Sequence, residues 1–391
     1  LNKEVLTSDI QDFIYNNIHL DPLVVSLGKS PFPGVSSREL AQQLGGRKKV
    51  KSKLPFWFHQ KGIYYPPGLN LEQTSSELTA RYKGSLVQGS SLLDLTGGSG
   101  VDTYFMGEVF DQVDYMERLP DLAEIAAHNF QVLEAKHIRV HIGDALELLK
   151  TRSFKNVFWD WIYLDPSRRN KNRSKVFLLE DCEPPLPDIL PQLFQASENI
   201  LVKTSPMLDI SEGIRILQNV REVHVVAVAN EVRELVWWLQ KGYDQEVERI
   251  AVDLKTSFPL FRFRASEEAT LESTFHPPMQ FLYEPSAAIL KAGGYKSVAA
   301  HYGLHKIHLS THLYTSDKRI EFPGRRFKIL QNLEYKPGKL PFKKANVSAR
   351  NFPESVATIR KRNRIEDGGE TYLFFMRTQD ESLRVMDCQR V

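Results

Sequence analysis

From Leu86 to about Leu254 short apolar runs alternate with amphipathic stretches, the rhythm of strands and crossover helices in a doubly wound α/β sheet. Strands are predicted at Ser91–Asp94, Gln112–Glu117, Ile138–Ile142, Val157–Leu164, Asn199–Thr204 and Val223–Val228, with helices at Pro120–Leu133, Pro187–Glu198 and Leu208–Asn219. The short run Leu235–Leu239 reads as a further strand, with Trp237 and Trp238 on opposite faces. Ahead of the sheet, Asp9–Leu27 carries Ile10, Phe13, Ile14 and Ile18 at helical spacing behind a Ser8 cap. Ser36–Glu39 has the capping-box pattern, and Glu72–Lys83 reads as another capped helix. Past residue 255 the rhythm changes: Phe281–Gly293 gives a strand, a proline turn and a helix closed by glycine, and His305–Ser310, His312–Thr315 and Tyr372–Arg377 are strands. The pattern divides the chain into a helical extension (1–85), a sheet domain (86–255) and two C-terminal α+β modules (256–322 and 323–391).

Composition narrows the class. Of 391 residues, 42% are hydrophobic and 25% charged, as in ordinary globular proteins. With only Cys182 and Cys388, no disulfide framework or cysteine zinc site is expected, which suits a cytoplasmic protein. No apolar run reaches membrane-spanning length, and the opening Leu-Asn-Lys-Glu reads as no signal peptide, so no membrane association is expected.

Chemistry concentrates at strand ends. After Leu92-Leu93 the chain meets Asp94 and breaks into Leu95-Thr96-Gly97-Gly98-Ser99-Gly100, a turn whose backbone can approach a nucleotide closely. The third glycine of a dinucleotide fingerprint is missing, and so is the Gly-Lys-Ser/Thr of a phosphate loop. Asp94 could accept from an ammonium group, and Glu117 stands where a ribose-binding acid is expected. Asp144 and Asp165-Pro166 end the third and fourth strands, so four acids share one carboxyl edge. Taken singly, each acid could equally cap a helix.

This pattern resembles the class I S-adenosylmethionine-dependent methyltransferases. The resemblance implies a Rossmann-like sheet and S-adenosyl-L-methionine as cofactor, held by Asp94, Thr96, Gly97, Gly98, Gly100, Glu117, Arg118, Asp144 and Ala145. It makes Asp165, Pro166, Ser167 and Arg168 the transfer motif, although the family's amino-group enzymes usually continue Asn/Asp-Pro-Pro-aromatic. A stacking ring would therefore come from elsewhere, with Phe56, Trp57 and Tyr163 as candidates. Neither cysteine lies near a strand-end motif, which argues against covalent carbon-5 chemistry and for direct transfer to a base nitrogen. Five cations fall between Ser167 and Lys175, and Arg168, Arg169, Lys171 and Arg173 would guide phosphates. Ser75, Ser76, Glu77 or Lys83 could close over the methionine end, or simply belong to a well-capped helix.

The basic run Arg47–Lys53 followed by Phe56-Trp57-Phe58 suits nucleic acid, or equally a solvated turn and a core-bound aromatic plug. His301, His305, His308 and His312 lack the companions of a metal site, and no metal is expected. From Arg325 the chain is basic, with Lys336, Lys339, Lys343, Lys344, Arg350 and Arg360–Arg364 among aromatic residues. Together with the Tyr283-Glu284-Pro285 module, it resembles bacterial methyltransferases with ferredoxin-like and THUMP-like domains. That likeness implies a structured RNA partner (rRNA or tRNA). The rival readings are a small-molecule or protein methyltransferase and a non-catalytic RNA-binding scaffold.

Overall fold

Pro22 divides the first predicted helix. In the computed structural model, which describes residues 1–151, 154–168, 179, 182–256, 258 and 260–391, α1 spans Ser8–Asn16 and α2 spans Pro22–Leu27. A proline disfavours helical backbone in the residue before it, and Asp21 instead caps α2 by accepting from Leu23 N. Ser8 is the first residue of α1, behind Thr7, whose side chain makes no cap bond.

The next helix, α3 (Ser37–Lys53), starts at the predicted Ser36–Glu39 capping box and continues through the basic run. Lysine and arginine are good helix formers, so nothing in Arg47–Lys53 stops the helix. Arg47 itself is buried: its guanidinium donates to Phe58 O (2.7 Å) and lies 4.0 Å from the Tyr15 ring centroid and 4.3 Å from that of Phe58. In α4 (Pro55–His59) Trp57 is buried, and Phe56 stacks on Tyr104 at 5.3 Å. The aromatic plug belongs to a core with Leu40, Leu44, Leu71 and Phe105. Two further helices, α5 (Gly68–Gln73) and α6 (Glu77–Gly84), lead to the sheet.

The chain divides into two compact units, Leu1–Arg221 with Val236–Asp244, and Glu222–Leu235 with Gln245–Val391. The first contains β1 (Ser91–Asp94), β2 (Gln112–Glu117), β3 (Ile138–Ile142), β4 (Trp159–Leu164), the short antiparallel pair β5 (Ser167–Arg168) and β6 (Cys182–Glu183), and β7 (Ser197–Thr204). Its parallel strands lie in the order β7-β4-β1-β2-β3, so β1, β2 and β4 lie inside the sheet and are buried along nearly their whole length, while β3 at its edge is only partly covered. Helices α7 (Val101–Gly107), α8 (Pro120–Val132), α9 (Ala145–Leu149), α10 (Leu186–Leu193) and α11 (Ile210–Leu217) connect these strands. The predicted Pro187–Glu198 helix ends early because Ser197, fully buried, already pairs with Trp159.

β8 (Val220–Val228) and β9 (Glu231–Gln240) meet at Ala229-Asn230, both with positive φ as a tight hairpin turn requires. Trp237 and Trp238 do fall on opposite faces: Trp237 is buried and donates to Thr204 Oγ1 (2.8 Å), while Trp238 donates to Asn199 Oδ1 (3.1 Å).

In the second unit, β10 (Glu248–Asp253) lies parallel to β8 and antiparallel to β11 (Phe261–Arg264). A seven-stranded sheet follows, built from β12 (Phe281–Pro285), β13 (His305–His308), β14 (Thr311–Ser316), β15 (Gly324–Glu334), β16 (Lys344–Arg350), β17 (Glu366–Arg377) and β18 (Leu383–Arg390). Its order, β13-β14-β12-β15-β18-β17-β16, runs without a break across residue 323. Glu284, buried on β12, accepts from Arg325 on the neighbouring β15 and from Arg350 Nη2 (2.6 Å) at the end of β16. The four C-terminal histidines do not converge: His308 pairs with Glu381, and His312 stacks on Tyr295. Among the described residues no helix is long and apolar enough to cross a membrane, and no group of three or more His, Cys, Asp or Glu could hold a metal ion.

Candidate functional site

The glycine turn after β1 is shaped by what its neighbours leave no room for. A Cβ on Gly97 would lie 2.1 Å from the Tyr115 ring, and one on Gly100 2.6 Å from Phe130, so a side chain at either place would displace an aromatic ring. Gly98 and Gly100 also have φ of +60° and +79°, conformations that favour glycine. Gly98 N donates to Glu117 Oε2 (2.9 Å), Tyr115 OH donates to Gly98 O (2.7 Å), and Leu119 N donates to Glu117 Oε1 (2.8 Å). The end of β2 thus grips the turn, and Glu117 is only 9% exposed.

Beside that acid the edge becomes apolar and open. Ile142 is the register partner of Glu117 on β3, and it and Leu119 are 49% and 51% exposed. Exposed aliphatic groups next to a buried acid make a surface for a flat ring with a polar substituent. Asp144 is exposed and caps α9, accepting from Leu146 N (3.0 Å) and Glu147 N (3.1 Å), with Ala145 the first helical residue. Arg118 is exposed beside Glu117.

A buried polar cluster lies behind the turn. Asp94 Oδ1 accepts from Thr96 N (2.9 Å) and Oδ2 from Thr103 Oγ1 (2.5 Å). Asp102, on the first turn of α7, accepts from Ser75 Oγ (2.8 Å) and Tyr163 OH (2.7 Å), and pairs with Lys83 Nζ at 3.2 Å. Burial pushes the Asp102 carboxyl up, but the charges of Lys83 and Lys203 and the hydrogen bonds from Tyr163 and Ser75 together hold the group below its ordinary range. The Asp165-Pro166 segment touches the same cluster: Asp165 N donates to Thr96 Oγ1 (2.6 Å), and the Asp165 carboxylate pairs with Lys203. Pro166 is half-buried and Ser167 exposed. Arg169, Lys171, Arg173 and the side chain of Arg168 lie outside the described residues.

Burial raises the Asp94 carboxyl to about 7, against the lowering pull of its bonds from Thr103 and Thr96. The unfolded chain releases this proton at about pH 4 and the folded protein near 7, so the folded form binds more protons between those limits. The stability Asp94 contributes is therefore complete below about pH 4 and lost as pH rises toward 7. Denaturant titrations at about pH 5 and about pH 8 are expected to show Asp94→Asn gaining on wild type by more than about 1 kcal/mol at the higher pH. An unchanged difference would mean that Asp94 is already ionised at the lower pH.

The structure brings together Asp94, Thr96, the three glycines, Glu117, Asp165 and two members of the predicted lid, Ser75 and Lys83. The other two serve their helix, Ser76 as the cap of α6 and Glu77 as partner of Arg81 and of Phe56 N. Trp57 and Tyr163 are buried and cannot stack on a base. The sequence pattern left Asp102, Thr103, Leu119, Ile142 and Lys203 without a role. Lys203 had a signal: like Asp165 and Glu117, it is an ionisable residue at the end of an apolar strand.

The ferredoxin-like domain family matches residues 281–323, and the THUMP domain-like family matches residues 324–390. A crystal structure from Porphyromonas gingivalis W83, of a protein assigned as a methyltransferase, is 31% identical over 100% of this chain and 98% of its own, with a TM-score of 0.88. More distant are yhhF of Escherichia coli, also assigned as a methyltransferase (16% identity, 41% of this chain and 86% of its own, TM-score 0.30), and an rRNA methylase from Streptococcus thermophilus (11%, 42% and 94%, 0.30). Likenesses that low say nothing about function. No curated protein matches the chain.

Proposed function

This chain belongs to the class I methyltransferases that carry ferredoxin-like and THUMP-like modules, and from that premise we propose that it methylates a base nitrogen of structured RNA, rRNA or tRNA, using S-adenosylmethionine. The observation that carries the reading is the Glu117 carboxylate bonded to Gly98 N across a turn that two aromatic rings keep free of side chains, beside exposed Ile142 and Leu119. That cradle fits an adenosyl group. Gly97, Gly98 and Gly100 would let it approach the backbone, Glu117 and Arg118 would take the ribose side, and Asp144 with Ala145 the adenine side. Asp94 and Thr96 hold the floor of the turn at the methionine end.

When bound, S-adenosylmethionine supplies an electrophilic methyl group. Asp165 and the adjacent backbone of the Pro166-Ser167-Arg168 segment accept hydrogen bonds from the acceptor amine and aim its lone pair. Positioning then supplies most of the rate gain. Arg168, Arg169, Lys171 and Arg173, with the exposed Lys339, Lys343, Lys344, Lys361 and Arg364 of the THUMP-like module, would neutralise RNA phosphates. The four-module division, 1–85, 86–255, 256–322 and 323–391, and a cytoplasmic location belong to the same reading.

Mapping modified nucleotides in total RNA from cells with and without the gene tests it. A single N-methylated base lost on deletion and restored by the wild-type gene is the expected result. Identical maps, or salt-insensitive transfer to a small molecule or protein, would contradict it.

A further inference from the structure

We propose that Lys203 is a positioning residue for Asp165, fixing the carboxylate that meets the methyl acceptor; the proposal rests on the methyltransferase reading above. Lys203 and Asp165 sit at the ends of adjacent parallel strands, where Leu164 and Val202 are register partners, so the next residue on each strand emerges at the same edge of the sheet. The ammonium of Lys203 binds Asp165 Oδ2, while Thr96 Oγ1 accepts from the Asp165 backbone N–H at 2.6 Å. The residue is held at its backbone and at one carboxylate oxygen, which reserves Oδ1 for the acceptor. Pro166 follows directly and stiffens the chain there.

Charge points the same way. Asp94, Asp102 and Asp165 belong to one polar cluster, and Asp102 and Asp165 each raise the proton affinity of Asp94. Lys83 answers Asp102, and Lys203 both pairs with Asp165 and draws Asp102 down. Without Lys203 the Asp165 carboxylate loses its anchor and faces two neighbouring acids with one cation fewer between them. It is expected to swing away from the position that serves the acceptor. A displacement of about 1 Å at a reacting group can cost about a hundredfold in rate.

The test uses full-length protein, radiolabelled S-adenosylmethionine and total RNA from cells lacking the gene. Lys203→Met is expected to lower kcat about a hundredfold, with KM for RNA and cofactor affinity each within about threefold of wild type. Lys203→Arg, which keeps the charge, is expected to recover at least about tenfold of that loss. If K203M does not fold, Lys203→Gln replaces it, keeping a hydrogen-bond donor without the charge. A folded K203M or K203Q with wild-type kcat, or a K203R no better than K203M, would overturn the proposal while a dead Asp165 variant left the methyltransferase reading standing. No transfer by wild type would remove both.

Discussion

Asp165→Ala is expected to abolish methyl transfer while leaving S-adenosylmethionine affinity within several-fold of wild type. The two effects separate because Asp165 meets the glycine turn through its backbone: its N–H donates to Thr96 Oγ1, and that bond survives loss of the carboxylate. The carboxylate itself faces Lys203 and is more than a third exposed, as a group that meets a substrate should be. Losing both hydrogen-bond orientation and the nearby proton acceptor should cost about ten-thousandfold, well beyond the roughly hundredfold expected of Lys203→Met, which leaves the carboxylate in place. Scintillation counting of methylated RNA reads the activity, and titration calorimetry reads the affinity. An active alanine variant would move the chemistry elsewhere.

The largest expected effect on stability comes from Lys83, whose side chain is fully buried against Asp102. Lys83→Met removes one partner of a buried ion pair and leaves the other charge inside, a change that costs about 3–5 kcal/mol. Ser75, Tyr163 and Lys203 still serve Asp102, which places the loss toward the lower end of that range. Denaturant unfolding measures it. The double variant Lys83→Met with Asp102→Asn removes both charges and is expected to regain most of the loss, a coupling that a purely steric defect would not show. A single variant within about 0.5 kcal/mol of wild type would mean that the pair contributes little.

How much of this was legible in sequence depended on range. β1, β2 and β4 were found close to their ends because they are buried along nearly their whole length and so read as largely apolar runs, and because Asp94, Glu117 and Asp165 mark where these three leave the core. The first helix was overextended because hydrophobic spacing alone runs through Pro22. The Arg47–Lys53 segment suited either nucleic acid or a solvated turn, whereas Arg47 is a core residue held against two rings. Lys83 was noticed only as a possible lid, and Lys203 not at all. Their partners Asp102 and Asp165 are distant in sequence, and although Lys203 stands at a strand end, nothing local says which acid either lysine will meet. Glu284 shows the same limit on the C-terminal sheet: it was read only as one residue of a strand and proline-turn module, yet its arginines lie 41 and 66 residues away.

The central claim is that the Gly97–Gly100 turn with Glu117 forms a cofactor site, and titration calorimetry of S-adenosylmethionine into the wild-type protein and into Glu117→Ala tests it most directly. Stoichiometric binding by wild type, weakened at least about tenfold in the variant, is the expected result. No heat of binding in the wild type, or equal affinity in the two proteins, would contradict it.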